Sequence, residues 1–148
     1  MVRWPILLMA ALAGANGPSR GGEPKVRFLD QVAPILVRKS QSCHDAKKAL
    51  GGYRVDTYGQ LMAESEAGRM VEPGKPDDSI LFMLIESNEP TGRMPKNADP
   101  LPASEVATLR RWIEEGAGAG GIDPDAELAG LVARGRSASF RKDDGRGP

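Results

Sequence analysis

The stretch "KSQSCHDAKKALGG", Lys39 to Gly52, holds the only cysteine and the only histidine of the chain, and the two are neighbours, Cys43 and His44. Placed at random in a chain of this length, a lone cysteine immediately precedes a lone histidine about once in 150 cases. A thiol beside an imidazole can serve covalent attachment through sulfur, metal ligation or nucleophilic catalysis. The surrounding sequence decides among them.

The chain has 148 residues, enough for one domain of ordinary size. Two Trp, two Tyr and three Phe make a lean aromatic core, which a large bound apolar group would reinforce. Lys+Arg and Asp+Glu balance at 20 each, so charge gives no reason to expect nucleic acid as a partner. The opening "MVRWPILLMAALAGA" has a basic start at Arg3, a short apolar run, then the small residues Ala13-Gly14-Ala15. That is the layout of a secretory signal peptide over residues 1–15, and the run falls short of the roughly 20 residues a stable membrane span requires. The expected location is the periplasm or another exported compartment. Exported proteins usually keep cysteines in pairs, so an unpaired Cys43 suits a covalent bond to something other than a second cysteine.

Helical periodicity begins after a Gly/Pro/Ser-rich spacer. In "FLDQVAPILVRKS", Phe28, Val32, Ile35 and Leu36 form one stripe, with Asp30 as the expected N-cap and Pro34 in the first turn. A short helix is expected from Thr57 to Ala63, and another from about Asp77 to Ser87, with Ile80, Leu81, Leu84 and Ile85 on one face and Met83 as core filler. "NEPTGRMPKNADPLPA" reads as a loop. "SEVATLRRWIEEGA" reads as a helix capped by Ser104, with Val106, Leu109, Trp112 and Ile113 inward and Gly116 as its stop. "GAGAGG" reads as a flexible linker, and one more short helix is expected after Asp123 and Pro124. No stretch reads as a strand. The expected architecture is all-α: a small helical domain over 24–117, preceded by the signal and followed by a loose, flexible tail over 118–148.

The pattern C-x-x-C-H reads as covalent haem attachment, and here Ser40 stands where its first cysteine belongs. A haem in a helical domain needs axial donors for its iron and an apolar slot. His44 offers a nitrogen. Among the methionines, Met94 in "GRMPKNADP" sits in a proline-bounded loop rather than on a packed stripe, and a thioether there would favour ferrous iron. An exposed loop methionine is the alternative. Trp112 is expected to pack against the first helix and the edge of the haem, or as a plain core residue. Arg54 and Arg93 are candidates to pair with a haem propionate, or are simply solvated. Arg110-Arg111 and Glu114-Glu115 read as i,i+4 pairs on an exposed face.

In order along the chain stand "FLDQVAPIL", "CHDAKKALGGYRVDTYGQLM", "VEPGKPDDSIL", "GRMP" and "LRRWIEEGA". This series, from Phe28 to Ala117, resembles the planctomycete-type cytochrome c domain, with its helix, C-x-x-C-H, G-G-x-R-x-D, P-G-x-P-x-x-S-x-L, R-M-P and W-I-x-x-G-A. The resemblance implies a cytochrome c-like fold and a c-type haem with its iron. It further implies Cys43 as thioether donor, His44 and Met94 as the iron's proximal and distal ligands, and an electron-carrying role with redox partner proteins rather than an enzyme's.

Ser40 departs from the family pattern, and a serine hydroxyl does not add to a haem vinyl group. One reading is a haem held by a single thioether and two axial bonds. The other is a haem-free, degenerate binding module, with copper or zinc at Cys43, His44 and Met94 as its variant. A thiol enzyme is the third class, and it lacks a second histidine or other evident group to orient the base.

Overall fold

The computed structural model describes residues 25–39, 53–65, 68–89, 91–96 and 98–143. The signal segment, Ser40, Cys43 and His44 lie outside them. The first helix opens with a π-helical turn, Phe28–Val32, and continues as α1, Ala33–Lys39. It starts two residues before the expected cap: Arg27 is the N-cap, and Asp30 lies inside the first turn, paired with Arg27 at 2.8 Å. Pro34 therefore sits within the helix. The wider turn ahead of it, closed by the Ala33 N–H on the Phe28 carbonyl, relieves the clash a proline ring makes with the carbonyl four residues back.

Helix α2, Tyr58–Met62, is capped by Thr57, whose hydroxyl accepts the Gln60 N–H at 3.2 Å. A 3-10 turn, Pro76–Asp78, leads into α3, Ile80–Ile85. Its inward face is Leu81, Phe82 and Ile85, with Ile80 and Leu84 half-buried. Met83, expected as core filler, is 58% exposed. Helix α4, Ala103–Glu114, begins after Pro102, so Ser104 falls within the helix instead of capping it. Helix α5, Leu128–Asp143, is far longer than the short helix expected there.

The all-α expectation is corrected by a two-stranded antiparallel sheet. Strands β1, Glu64–Ser65, and β2, Gly68–Arg69, pair with Glu64 opposite Arg69 and Ser65 opposite Gly68. An isolated bridge also joins Thr57 to Glu127. The domain is therefore mixed, with helices predominating. The sequence "AESEAGR" hid the strands because it has no apolar alternation. Its pairing rests on the backbone, on the Ser65 hydroxyl donating to the Gly68 carbonyl at 3.0 Å, and on a cross-strand Arg69–Glu64 contact at 3.3 Å. Gly68 supplies a φ of +111°, closed to ordinary side chains.

The core gathers around Trp112, which is 1% exposed. Its ring lies 5.3 Å from that of Phe28, and Tyr58 meets Phe28 edge-on at 5.2 Å. Helix α4 ends in a Schellman motif: Gly116 N–H binds the Ile113 carbonyl, Ala117 N–H binds the Trp112 carbonyl, and Gly116 has a φ of +96°. The linker-like "GAGAGG" is pinned at its start. Ala117 is fully buried, its carbonyl accepts the Tyr58 hydroxyl at 2.9 Å, and the Gly118 carbonyl accepts the Trp112 indole N–H at 3.0 Å.

The segment read as a flexible tail joins the same core. Gly59 N–H binds the Pro124 carbonyl and Leu128 N–H the Asp56 carbonyl, both at 2.8 Å. Leu128 and Val132 are buried, and α5 packs against α1 and its π-helical turn.

Two further motifs of the sequence are structural. In "EPGKPDDSIL", Gly74 turns at a φ of +79°, and the buried Ser79 hydroxyl accepts the Glu72 N–H and donates to the Lys75 carbonyl, both at 2.9 Å. In "YRVD", Arg54 grips Asp56 through two hydrogen bonds, at 2.9 and 2.6 Å. That grip holds the Asp56 carboxyl below its usual range, against the opposing effect of burial.

Ser79→Ala strands the Glu72 N–H and the Lys75 carbonyl, and should cost about 1–3 kcal/mol in urea unfolding. Because Asp56 titrates lower in the folded chain, its contribution is complete above the unfolded value of about 3.9 and disappears as pH falls through the folded one. The stability gap between the native chain and Asp56→Asn should accordingly be constant above about pH 5 and narrow below it. A gap unchanged down to the acid transition would refute the pairing.

Candidate functional site

Helix α1, helix α3, the loop after α3 and helix α4 enclose a crevice of about 340 Å³. Its walls are largely apolar: Leu36 from α1, Val55, Met70, Leu81 and Ile85 from the middle of the chain, and Leu109 from α4. Each arrives there for a local reason. Leu36 and Leu109 lie on helix faces that the sequence marks by spacing. Leu81 is set by the Ser79 turn, and its N–H binds the Met70 carbonyl at 3.0 Å, which brings Met70 to the same wall.

Met94 lines this crevice and is half-buried. Its backbone N–H donates to the Leu84 carbonyl at 2.9 Å, so the loop that carries it is tied to the C-terminal part of α3. Pro95, joined to it by a cis peptide bond, is the next lining residue. Cations line it as well: Arg38 and Lys39 from the end of α1, and Lys96 from the Met94 loop. Arg38 also bonds Glu105 of α4 at 2.8 Å.

The other residues singled out by sequence are distributed as follows. Cys43 and His44 lie outside the described residues. The described chain ends at Lys39 on a crevice-lining position and resumes at Tyr53, two residues before crevice-lining Val55. Trp112 packs on the first helix, as expected, but does not line the crevice. It borders a second cavity, of about 450 Å³, with Phe28, Glu115 and Gly118. Arg54 is engaged by Asp56. Arg111 pairs with Glu115 at 2.8 Å, whereas Arg110 leaves its own helix to reach Asp77 and Glu86 and lies over the Phe82 ring at 4.6 Å. Glu115 has a second task, accepting the Val26 N–H at 2.7 Å, and that bond holds its carboxyl below the usual range.

Sequence reasoning missed Met70 as a wall of the crevice and the cations that line it. Met70 carries no periodic signal, because its burial comes from a backbone bond to α3. The cations at Lys39 and Lys96 are brought together only by the fold.

The crevice is thus largely apolar, with a thioether on its wall and cations among its lining. Residues 41–98, which include Cys43, His44 and Met94, match the family model described as planctomycete cytochrome C. That match supports a planctomycete-type cytochrome c domain over those residues, and a domain of that kind implies haem c. The match is narrower than the Phe28 to Ala117 resemblance, leaving α1 and α4 on either side of it. No curated protein and no solved structure matches the chain significantly.

Since Met94 is half-buried and its loop is held by backbone, Met94→Leu should change the stability of the haem-free chain by less than about 1.5 kcal/mol in urea unfolding. A much larger loss would make Met94 a structural core residue.

Proposed function

We propose that this chain is an exported, single-haem c-type cytochrome, or cytochrome domain, that carries electrons between redox partner proteins and is not itself an enzyme. The observation that carries the reading is Met94 on the wall of an apolar crevice, within the segment that matches a cytochrome family. The residues present fit the group. The crevice lies within the roughly 300–1,000 Å³ typical of cofactor sites, and its lining is apolar with a soft sulfur donor.

In this reading Cys43 provides the tether. Cys43 would hold the haem through a single thioether, with Ser40 unable to form a second, and His44 and Met94 would be the donors to its iron. The haem iron, when bound, supplies the one-electron couple. The apolar walls exclude water, and the thioether biases the couple toward the ferrous state. Lys39 and Lys96 present positive charge for steering an acidic partner.

Ser40 favours one competing reading, a haem-free module that has kept the scaffold. Production in a host with an active haem-attachment system separates the two. The cytochrome reading expects Soret and alpha bands, with the alpha band to the red of a doubly tethered haem, and colour that stays with the polypeptide in acid–organic solvent. Colourless protein with an alkylatable Cys43 would overturn it. In the coloured protein, Met94→Ala should lower the reduction potential, because the ligand that favours ferrous iron is gone.

A further inference from the structure

The first helix and α4 are joined at two places along their length, by two unlike contacts. At one end Phe28 and Trp112, each 1% exposed, hold their rings 5.3 Å apart, and Glu115 accepts the Val26 N–H at 2.7 Å. At the other end the Arg38 guanidinium donates to Glu105 Oε1 at 2.8 Å. Between these ends lie Ile35 and Leu36 on one helix and Leu109 on the other, all of which line the crevice. Glu105 stands one turn before Leu109, and Arg38 one turn after Ile35, so the ion pair shares the face of the crevice walls. Ile35, Leu36 and Leu109 are buried, whereas the lining residues Arg38, Lys96 and Ala98 are exposed. The mouth of the crevice is thus at the ionic end.

The two ends differ in how firmly they hold. The aromatic end keeps two large rings from water, and a main-chain donor adds to it. The ionic end is partly in water: the Arg38 side chain is 47% exposed and that of Glu105 19%. A pair of that kind is weak, and salt weakens it further. Glu105 is also only half satisfied, since its Oε2 is closed off from solvent with no hydrogen-bond partner among the described residues. A carboxylate oxygen withdrawn from water without a donor offsets part of what the pair gains. One end is a fixed joint and the other a releasable one.

We propose that Arg38 and Glu105 form a clasp across the mouth of the crevice, which opens to admit a flat apolar ligand and closes behind it. The inference deepens the reading of this crevice as the haem site and rests on it. The aromatic end is the pivot. With the ion pair broken, the end of α1 and the first turn of α4 part, and the rows that carry Leu36 and Leu109 become reachable from solvent. The clasp governs how fast the crevice fills and empties, while the apolar walls govern how tightly it holds what has entered. Breaking the pair raises the entry and exit rates together and leaves the affinity nearly unchanged.

The test uses the full chain produced without haem and Nile red, a neutral apolar dye on which surface charge exerts no direct pull. Stopped-flow fluorescence reads its entry and exit, and added ferric haem shows by displacement whether the dye occupies the crevice. The native chain should fill about two- to fivefold faster in about 0.5 M salt than in dilute buffer. R38Q and E105Q should fill at that faster rate even in dilute buffer and lose the salt dependence, whereas R38K keeps the native behaviour. Should both glutamine variants fold poorly, the salt dependence of the native chain decides alone, and a flat rate overturns the proposal. Folded variants in which haem displaces the dye but entry keeps the native rate overturn the clasp and leave the haem site standing. Dye that haem fails to displace overturns the haem site, and the clasp with it.

Discussion

One indole and one phenol hold this domain together by donating to neighbouring carbonyls. Trp112 reaches the Gly118 carbonyl and Tyr58 reaches that of Ala117. Both rings also pack on Phe28, Tyr58 edge-on and Trp112 at a tilt. Three elements far apart in sequence thus meet at one aromatic cluster: the first helix, α2 and the end of α4. The bonds matter because Ala117 is a non-glycine residue at a φ of +53°, a conformation that persists only where its surroundings insist on it. With that corner fixed, the direction in which the chain leaves α4 is fixed, and α5 is delivered to the face of α1.

The crevice depends on a second, polar device. Ser79 knots the turn ahead of α3, α3 presents Leu81 and Ile85 inward, and the carbonyl of Leu84 anchors the backbone of Met94. A hydroxyl with no chemical role thereby determines where a sulfur is found. Several short motifs that mark the family in sequence are of this kind. Gly74 and Ser79 shape the turn ahead of α3, and Arg54 and Asp56 fix the segment that carries Val55.

How much of this could be read from sequence follows from how each element is stabilised. Helix α4 was legible because its apolar residues recur at helical spacing, and Leu109, Trp112 and Ile113 are in fact buried. The strands were not, since two backbone pairs in a charged segment leave no periodic trace. The π-helical turn was not legible either; Pro34 reads as a helix start, and only the packing of Phe28 shows that the helix begins earlier. "GAGAGG" looked like a linker because its order comes from side chains elsewhere, Trp112 and Tyr58. At the site, Met94 lines the crevice, and Trp112 packs on Phe28 in the aromatic corner.

The contacts that bring residues 122–128 back onto the domain are made chiefly by main chain: Thr57 bridges Glu127, Gly59 meets Pro124, and Asp56 meets Leu128. Docking of this kind asks little of the exposed side chains along the returning segment and leaves little room on the receiving side. A Cβ at position 59 would come within 3.2 Å of the Pro124 oxygen. Substitutions can therefore accumulate at exposed Glu127 with little consequence, but an expressed fragment that stops at Ala117 would bare the greasy strip that Leu128 and Val132 cover. Such a shortened product would be expected to clump, whatever the integrity of its crevice.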